Sequence, residues 1–396
     1  MYQKQSWNNN DEATPLEAGR LRHIEDGIEA ASYGAEIGAA LGARVVTVGD
    51  SITIGGETHS ATVDGIANSW PAWAGWLSGQ RINVVKNAGK SGDRSDQMLA
   101  RWDTDVVPYN PTLVIISAGT NDINQGIDSS VLRANVLEMI DRTRDQGAKP
   151  ALVTVTPRSN VASYGAQIVA HNAWLRQISQ AENIPLLDYY DLVVDRATGA
   201  MASTYDTDGT HPNTTARRLF GQRVVDVLTP HLPPSAVLLP LSNSEPGNLI
   251  TNNLFLLDAN SDGRADGWAA VGGGAQTPSL SAADIGNWQQ WDVTEGTAVG
   301  MNRQVSTGWS VGEMIRYVGR FATTGAGFQA QMSASGGNFQ VRPVTLVDQE
   351  VTNGVWAIDM VIPAGTTSLS INLTGGIGTH KVAQVGLYNM TRLGLT

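Results

Sequence analysis

The chain has 396 residues, 41% of them apolar, a formal charge of −11 and no cysteine. That length suits two domains with cores of their own, the missing cysteines exclude disulfides and thiolate metal sites, and the acidic balance disfavours nucleic acid or an anionic membrane as the main partner. No run approaches the roughly 18 consecutive apolar residues of a membrane span, and Met1 to Ser6 lacks the apolar segment of a signal peptide, so no Sec address is expected.

Residues 1–13 are polar, with Asn8, Asn9 and Asn10 in a row, and read as an extended arm. A helix then starts: Thr14 suits the N-cap, Pro15 the first helical position, and Glu17 completes a capping box. Leu21, Ile24, Ile28, Ala31, Ala35 and Gly38 recur at spacings of three and four, a narrow stripe flanked by Arg22, Glu25, Asp26 and Glu29. Such a stripe packs on the following domain or joins symmetry mates, for example in a homotrimer. Trp7, Asn8, Thr14-Pro15-Leu16 and Ile24-Glu25-Asp26-Gly27-Ile28 resemble the N-terminal segments of phage tail and baseplate-associated proteins. The resemblance implies docking on tail or baseplate proteins and a place in the virion.

From Arg44 to about Leu232 strand-like and helix-like stretches alternate. Strands are expected at Arg44–Val48, Ile82–Lys86, Leu113–Ser117, Ala151–Thr156 and Ile184–Asp188. Leu132, Val136, Met139, Ile140 and Thr143 share one helix face, and Ala216, Leu219, Phe220, Val224 and Val227 mark a closing helix. Five strands with helical crossovers predict a doubly wound parallel sheet. The β-branched run Val45 to Val48 breaks at Gly49-Asp50-Ser51, which puts Ser51 just past a strand's carboxyl end, where open α/β sheets bind ligands.

Thr229 to Gly247 contains Pro230, Pro233, Pro234, Pro240 and Pro246, and residues 233–247 read as a semi-rigid linker. Beyond it, short β-branched runs among glycine, serine and threonine predict an antiparallel β-sandwich over 248–396. Of its tryptophans, Trp268, Trp288, Trp291, Trp309 and Trp356, most are expected in the core; any left exposed would suit stacking on sugar rings. Asp258, Asn260, Asp262 and Asp266 set oxygen groups at alternate positions around Gly263, so a structural calcium and a metal-free turn are both open, with Ala269 standing where a calcium loop has its glutamate. This stretch resembles the Asp-Gly-rich loop that opens many carbohydrate-binding β-sandwiches.

A neutral serine is a poor nucleophile and needs a base that is itself held in place. Of six histidines, His211 alone stands in a loop entering the last α/β helix, three residues after Asp208. Acyl transfer also needs donors for an oxyanion; Gly92 offers a bare backbone N–H and Asn121 a side-chain amide, after the second and third strands. Alone, each reads equally as an N-cap with a surface histidine, a turn, or an Asx turn. Together, Gly49-Asp50-Ser51, Gly92, Gly119-Thr120-Asn121-Asp122 and Asp208-x-x-His211 resemble the four blocks of the SGNH (GDSL-type) hydrolases. The resemblance implies a flavodoxin-like fold and ester hydrolysis without a metal. Ser51 would be the nucleophile, His211 the base and Asp208 its orienter, with the oxyanion held by the N–H groups of Ser51 and Gly92 and the Asn121 amide. Ile52 replaces the family's leucine, and Asp206 is a second carboxylate near His211. Gly308-Trp309-Ser310-Val311-Gly312 imitates a nucleophile elbow, but Met314 to Phe321 just after it alternates like a strand instead of opening a helix.

The reading assembled from these parts is a serine esterase carried on a phage tail, removing O-acetyl groups from a bacterial surface polysaccharide or glycolipid. Residues 1–40 would attach or trimerise it, 41–232 catalyse, and 248–396 bind glycan. On that division, loss of 248–396 would spare turnover of a small ester. The competing readings are a cellular lipase or acyl esterase, cytoplasmic or released by a non-Sec route, and a non-catalytic receptor-binding tail protein.

Overall fold

The computed structural model describes residues 43–54, 64–66, 69–232, 238–243, 245, 247–336 and 339–395. The arm and helix expected over 1–40 lie outside the described residues.

Strands β1 (Ala43–Gly49), β2 (Asp64–Ile66), β3 (Ile82–Gly89), β4 (Leu113–Ile116), β5 (Lys149–Val153) and β6 (Leu186–Leu187) come first in the chain. Five of them form one parallel sheet in the order β3-β1-β4-β5-β6. With β2 set aside this is the 2-1-3-4-5 order of flavodoxin-like sheets. Both faces are covered, which is why the strands are apolar without alternation. Val45, Ile115, Ala151 and Val153 pack with Phe220 and Val224 on one side, and Val46, Val114 and Ile116 with Met139 and Ile140 on the other. The helix Ser129–Asp145 is capped by Asp128 and buries the five residues its spacing marks. The helix Thr214–Leu228, capped by Asn213, differs from expectation at Leu219, which is exposed.

The remaining strands are β7 (Ala269–Val271), β8 (Gln276–Ala282), β9 (Asn287–Val293), β10 (Val299–Val305), β11 (Met314–Thr323), β12 (Gln329–Ser335), β13 (Phe339–Thr345), β14 (Val351–Val361), β15 (Ser368–Gly375) and β16 (Gly378–Asn389). They make two sheets, β2-β13-β12-β15-β10-β7 and β14-β11-β16-β9-β8. Both contribute to one core, from Met332, Ile371 and Leu373 on the first to Ile315, Phe321 and Trp356 on the second. Trp268, Trp291 and Trp356 are buried, whereas Trp288 and Trp309 are half-buried.

The two bodies are joined by more than a linker. Strand β2, only ten residues beyond the helix that carries Ser51, pairs in parallel with β13 of the sandwich. The helix Trp70–Leu77, with Pro71 in its first turn, lies between the bodies. Its Trp70 meets Phe220 edge-on at 5.1 Å on the α/β side. Trp73 and Trp76 belong to the sandwich core, where Trp76 packs edge-on against Phe321 at 6.0 Å and donates Nε1–H to the Pro343 carbonyl at 3.0 Å. Gln80 adds a bond from Nε2 to the Val355 carbonyl at 2.7 Å. Residues 238–243 lie along the second sheet: Leu238 packs on Val318, Tyr388 and Met390, and Gln384 donates to the Pro240 carbonyl. The α/β body and the sandwich thus share a core, and separating them would strip two tryptophans and a strand of their partners.

Candidate active site

The site begins where β1 ends. A side chain on Gly49 would put Cβ 2.0 Å from Thr53 Oγ1, so only glycine lets the short helix Ser51–Ile54 fold back on the strand. Asp50 is buried at that turn; its Oδ1 accepts the Ile52 N–H at 2.9 Å and its carbonyl accepts Thr53 and Ile54. Burial pushes the Asp50 carboxyl up to about 6, against the opposing pull of the Ile52 amide and the His211 charge. Ser51 follows, half-buried, with Oγ 2.8 Å from His211 Nε2.

His211 Nδ1 lies 2.8 Å from Asp208 Oδ2, and Asp208 Oδ1 accepts the backbone N–H groups of His211 and Thr210 at 2.9 and 3.0 Å. Burial raises the Asp208 carboxyl, but the His211 ring and these amides outweigh it and hold it down at about 2. An anion there accepts from His211 Nδ1, so in the neutral ring the lone pair is on Nε2, facing Ser51 Oγ. Asp206 is occupied differently: it accepts the N–H groups of Asp208 and Gly209 and the Ser159 hydroxyl. The loop after β5 grips this turn. Ser159 N–H donates to the Gly209 carbonyl, and Arg158 Nη2 and Asn160 Nδ2 both donate to Thr210 Oγ1 at 2.8 and 2.9 Å.

Gly92, in the turn after β3, has φ +82° with open space where a side chain would stand. Asn121 lies in the short helix Thr120–Asn124 after β4, and its Nδ2 donates to the Asp93 carbonyl at 3.0 Å. That bond uses one of the two amide hydrogens and leaves the other to give. Asp122 is buried under the turn and accepts the Ser95 N–H and hydroxyl, while Asn135 holds Ser95 from the next helix. The groups that sequence spacing assembles thus fall on the carboxyl ends of β1, β3 and β4 and in the loop before the last helix. Arg158, Asn160, Ser95 and Asp93 carry no signal of their own in the sequence, because they act through partners distant in the chain.

Ser310 is not a second site. Its Oγ accepts Arg392 Nη2 at 3.3 Å, and the downstream His380 is buried among aromatic rings, bonded to Thr323 Oγ1 and the Gly376 carbonyl. In the Asp-Gly loop the Asp258 carboxylate accepts Asp262 and Gly263 N–H, and Asp266 accepts Ala259 N–H. Among the described residues no three histidine, aspartate or glutamate side chains converge to hold a metal ion. Trp288 carries the Arg320 guanidinium over its ring at 5.1 Å. No described helix is long and apolar enough to cross a membrane.

Ser51 is thus bonded to an imidazole at the strand ends of a parallel flavodoxin-like sheet. Residues 47–219 match the GDSL-like lipase/acylhydrolase family. Esterase TesA of Pseudomonas aeruginosa is 30% identical over 149 residues, which span 37% of this chain and 71% of that protein. An arylesterase of Vibrio mimicus is 26% identical over 193 residues, 48% of this chain and 90% of that one. Thioesterase 1/protease 1/lysophospholipase L1 of Escherichia coli is 25% identical over 193 residues, 48% of this chain and 86% of that one. The chain belongs to the GDSL-like lipase/acylhydrolase family, and its hydrolase part is an esterase/acylhydrolase domain.

Proposed function

We propose that Ser51 is the nucleophile, His211 the general base and Asp208 the group that orients His211. The carrying observation is the pair of 2.8 Å contacts that runs from Ser51 Oγ through both ring nitrogens to Asp208. Ser51 Oγ adds to an ester carbonyl as its proton passes to His211 Nε2; the oxyanion is met by the N–H groups of Ser51 and Gly92 and the free amide hydrogen of Asn121. The intermediate collapses as His211 protonates the leaving alcohol, and a water activated by the same imidazole then releases the acid from Ser51. Asp208 stays ionised throughout and stabilises the imidazolium.

The substrate we propose is an O-acetyl ester on a bacterial surface polysaccharide or glycolipid, reached from a phage tail. Support comes from the sandwich fused to the hydrolase through a common core, with half-buried Trp288 on it, and from the tail-like motif within residues 1–40. Residues 1–40 would dock on tail or baseplate proteins, as a trimer or singly. A cellular acyl esterase is the second reading, favoured by relatives named esterase, arylesterase and thioesterase. Acetate release from purified surface polysaccharides, beside nitrophenyl esters of increasing chain length, separates the two. Release of acetate from a polysaccharide supports the first; turnover confined to long-chain esters supports the second.

A further inference from the structure

Three loops supply the proposed oxyanion donors, and they must keep register with one another to within about 0.5 Å for the hole to work. One guanidinium connects them. Arg101 stands between the short helices Ser95–Ala100 and Trp102–Asp105, its side chain only 14% exposed. Its Nε donates to Asp93 Oδ2 at 2.7 Å, its Nη2 to the Gly49 carbonyl at 3.2 Å, and its Nη1 to Asp105 Oδ2 at 2.6 Å. Gly49 is two residues before Ser51, and its carbonyl also accepts the Lys90 N–H at 3.0 Å. Asp93 follows Gly92 directly, its N–H closes the Gly92 turn on the Lys90 carbonyl at 3.2 Å, and its own carbonyl holds the Asn121 amide at 3.0 Å.

Resting on the serine-esterase reading above, we infer that Arg101 is a positioning residue of the oxyanion hole. It ties the nucleophile turn to the Gly92 turn, and through Asp93 to Asn121, without touching substrate. The residue type follows from the task. Three acceptors in different directions need a planar fork with fixed donors, which arginine has and lysine lacks. Asp105 holds the far side of the fork and keeps the guanidinium from rotating toward solvent. No motif announces the arrangement, because the junction that carries Arg101 is packed onto the strand ends by tertiary structure alone.

The test uses the full chain and p-nitrophenyl acetate. Losing one oxyanion donor costs about 10²- to 10³-fold, so Arg101→Gln, which displaces donors without deleting them, should lower kcat roughly 10- to 100-fold with KM within about threefold of wild type. Asp93→Asn removes the charged partner of Nε but keeps the backbone carbonyl that holds Asn121; it should give the same kcat-only loss, and it decides the matter if Arg101→Gln fails to fold. Arg101→Lys keeps the charge without the fork and should stay at least about fivefold below wild type. On an Asn121→Ala background, Arg101→Gln should cost several-fold less than it does alone, since residues that act as a unit are non-additive. Full activity in Arg101→Lys, a loss confined to KM, unchanged kcat in both Arg101→Gln and Asp93→Asn, or full additivity with Asn121→Ala would each overturn the inference. Ser51→Ala, assayed alongside, addresses the serine reading separately: wild-type turnover there removes that reading whatever Arg101 does.

Discussion

Trp76→Ala should uncouple the two bodies of the molecule. Trp76 is buried, packs edge-on against Trp73 at 5.0 Å and Phe321 at 6.0 Å, and donates to the Pro343 carbonyl. Truncating a buried tryptophan costs about 3–5 kcal/mol. Losing the hydrogen bond, with a buried carbonyl left unpaired, adds about 1 kcal/mol. The total, about 4–6 kcal/mol, is a large part of the roughly 5–15 kcal/mol by which native domains are stable. Urea unfolding followed by circular dichroism, with residual hydrolysis of p-nitrophenyl acetate in parallel, measures it. Wild type should lose structure and activity in one transition, and Trp76→Ala should melt earlier with the two signals separated. The same reasoning predicts that a chain ending before residue 248 is aggregation-prone, with Trp73 and Trp76 uncovered. A variant within about 1 kcal/mol of wild type, or a wild type that already unfolds in two steps, would refute the shared core.

Other outcomes concern the site. Asn121→Ala should lower kcat roughly 100- to 1,000-fold, the usual cost of an oxyanion donor; a loss under about threefold in steady-state assays would place the donor elsewhere. The folded protein keeps the Asp50 proton up to about pH 6, whereas the unfolded chain releases it near 3.8. The stability from that proton is complete below about pH 4 and lost as pH rises through 6, so Asp50→Asn should gain about 3 kcal/mol on wild type between pH 4 and 7, read by urea unfolding at each pH. No metal enters the proposed steps, so EDTA should leave ester hydrolysis unchanged; inhibition reversed by a divalent ion would require a different mechanism.

Much of the α/β fold is legible in the sequence because strands buried on both faces must be apolar throughout. Runs such as Val45–Val48 and Leu113–Ile116 leave little choice. The placing of Ser51, Gly92, Asn121, Asp208 and His211 at strand ends and turns is legible for another reason: each stands in a short run whose residue types favour a turn locally. The junction of the bodies is not. Trp70-Pro71-Ala72-Trp73 reads as any apolar helix, and only the tertiary structure shows Trp70 turned to one core and Trp73 and Trp76 to the other. Strand β2 is three residues long and gets its partner from a segment some 275 positions later, which no local pattern encodes. Periodicity predicts Leu219 inside, yet it lies at the margin of its helix's buried face, where Gly221 instead meets Trp73. Arg101 is hidden for the same reason as the junction, since its partners Gly49 and Asp93 reach it from other loops.

Ester cleavage, as proposed, passes through an acyl group on Ser51. Quenching the enzyme with acid during turnover of p-nitrophenyl acetate, then mapping peptides by mass spectrometry, tests it directly. An acetyl adduct is expected on the peptide containing Ser51 and absent from Ser51→Ala, which should also be folded and inactive. An adduct on another peptide, or turnover in Ser51→Ala equal to wild type, would contradict it.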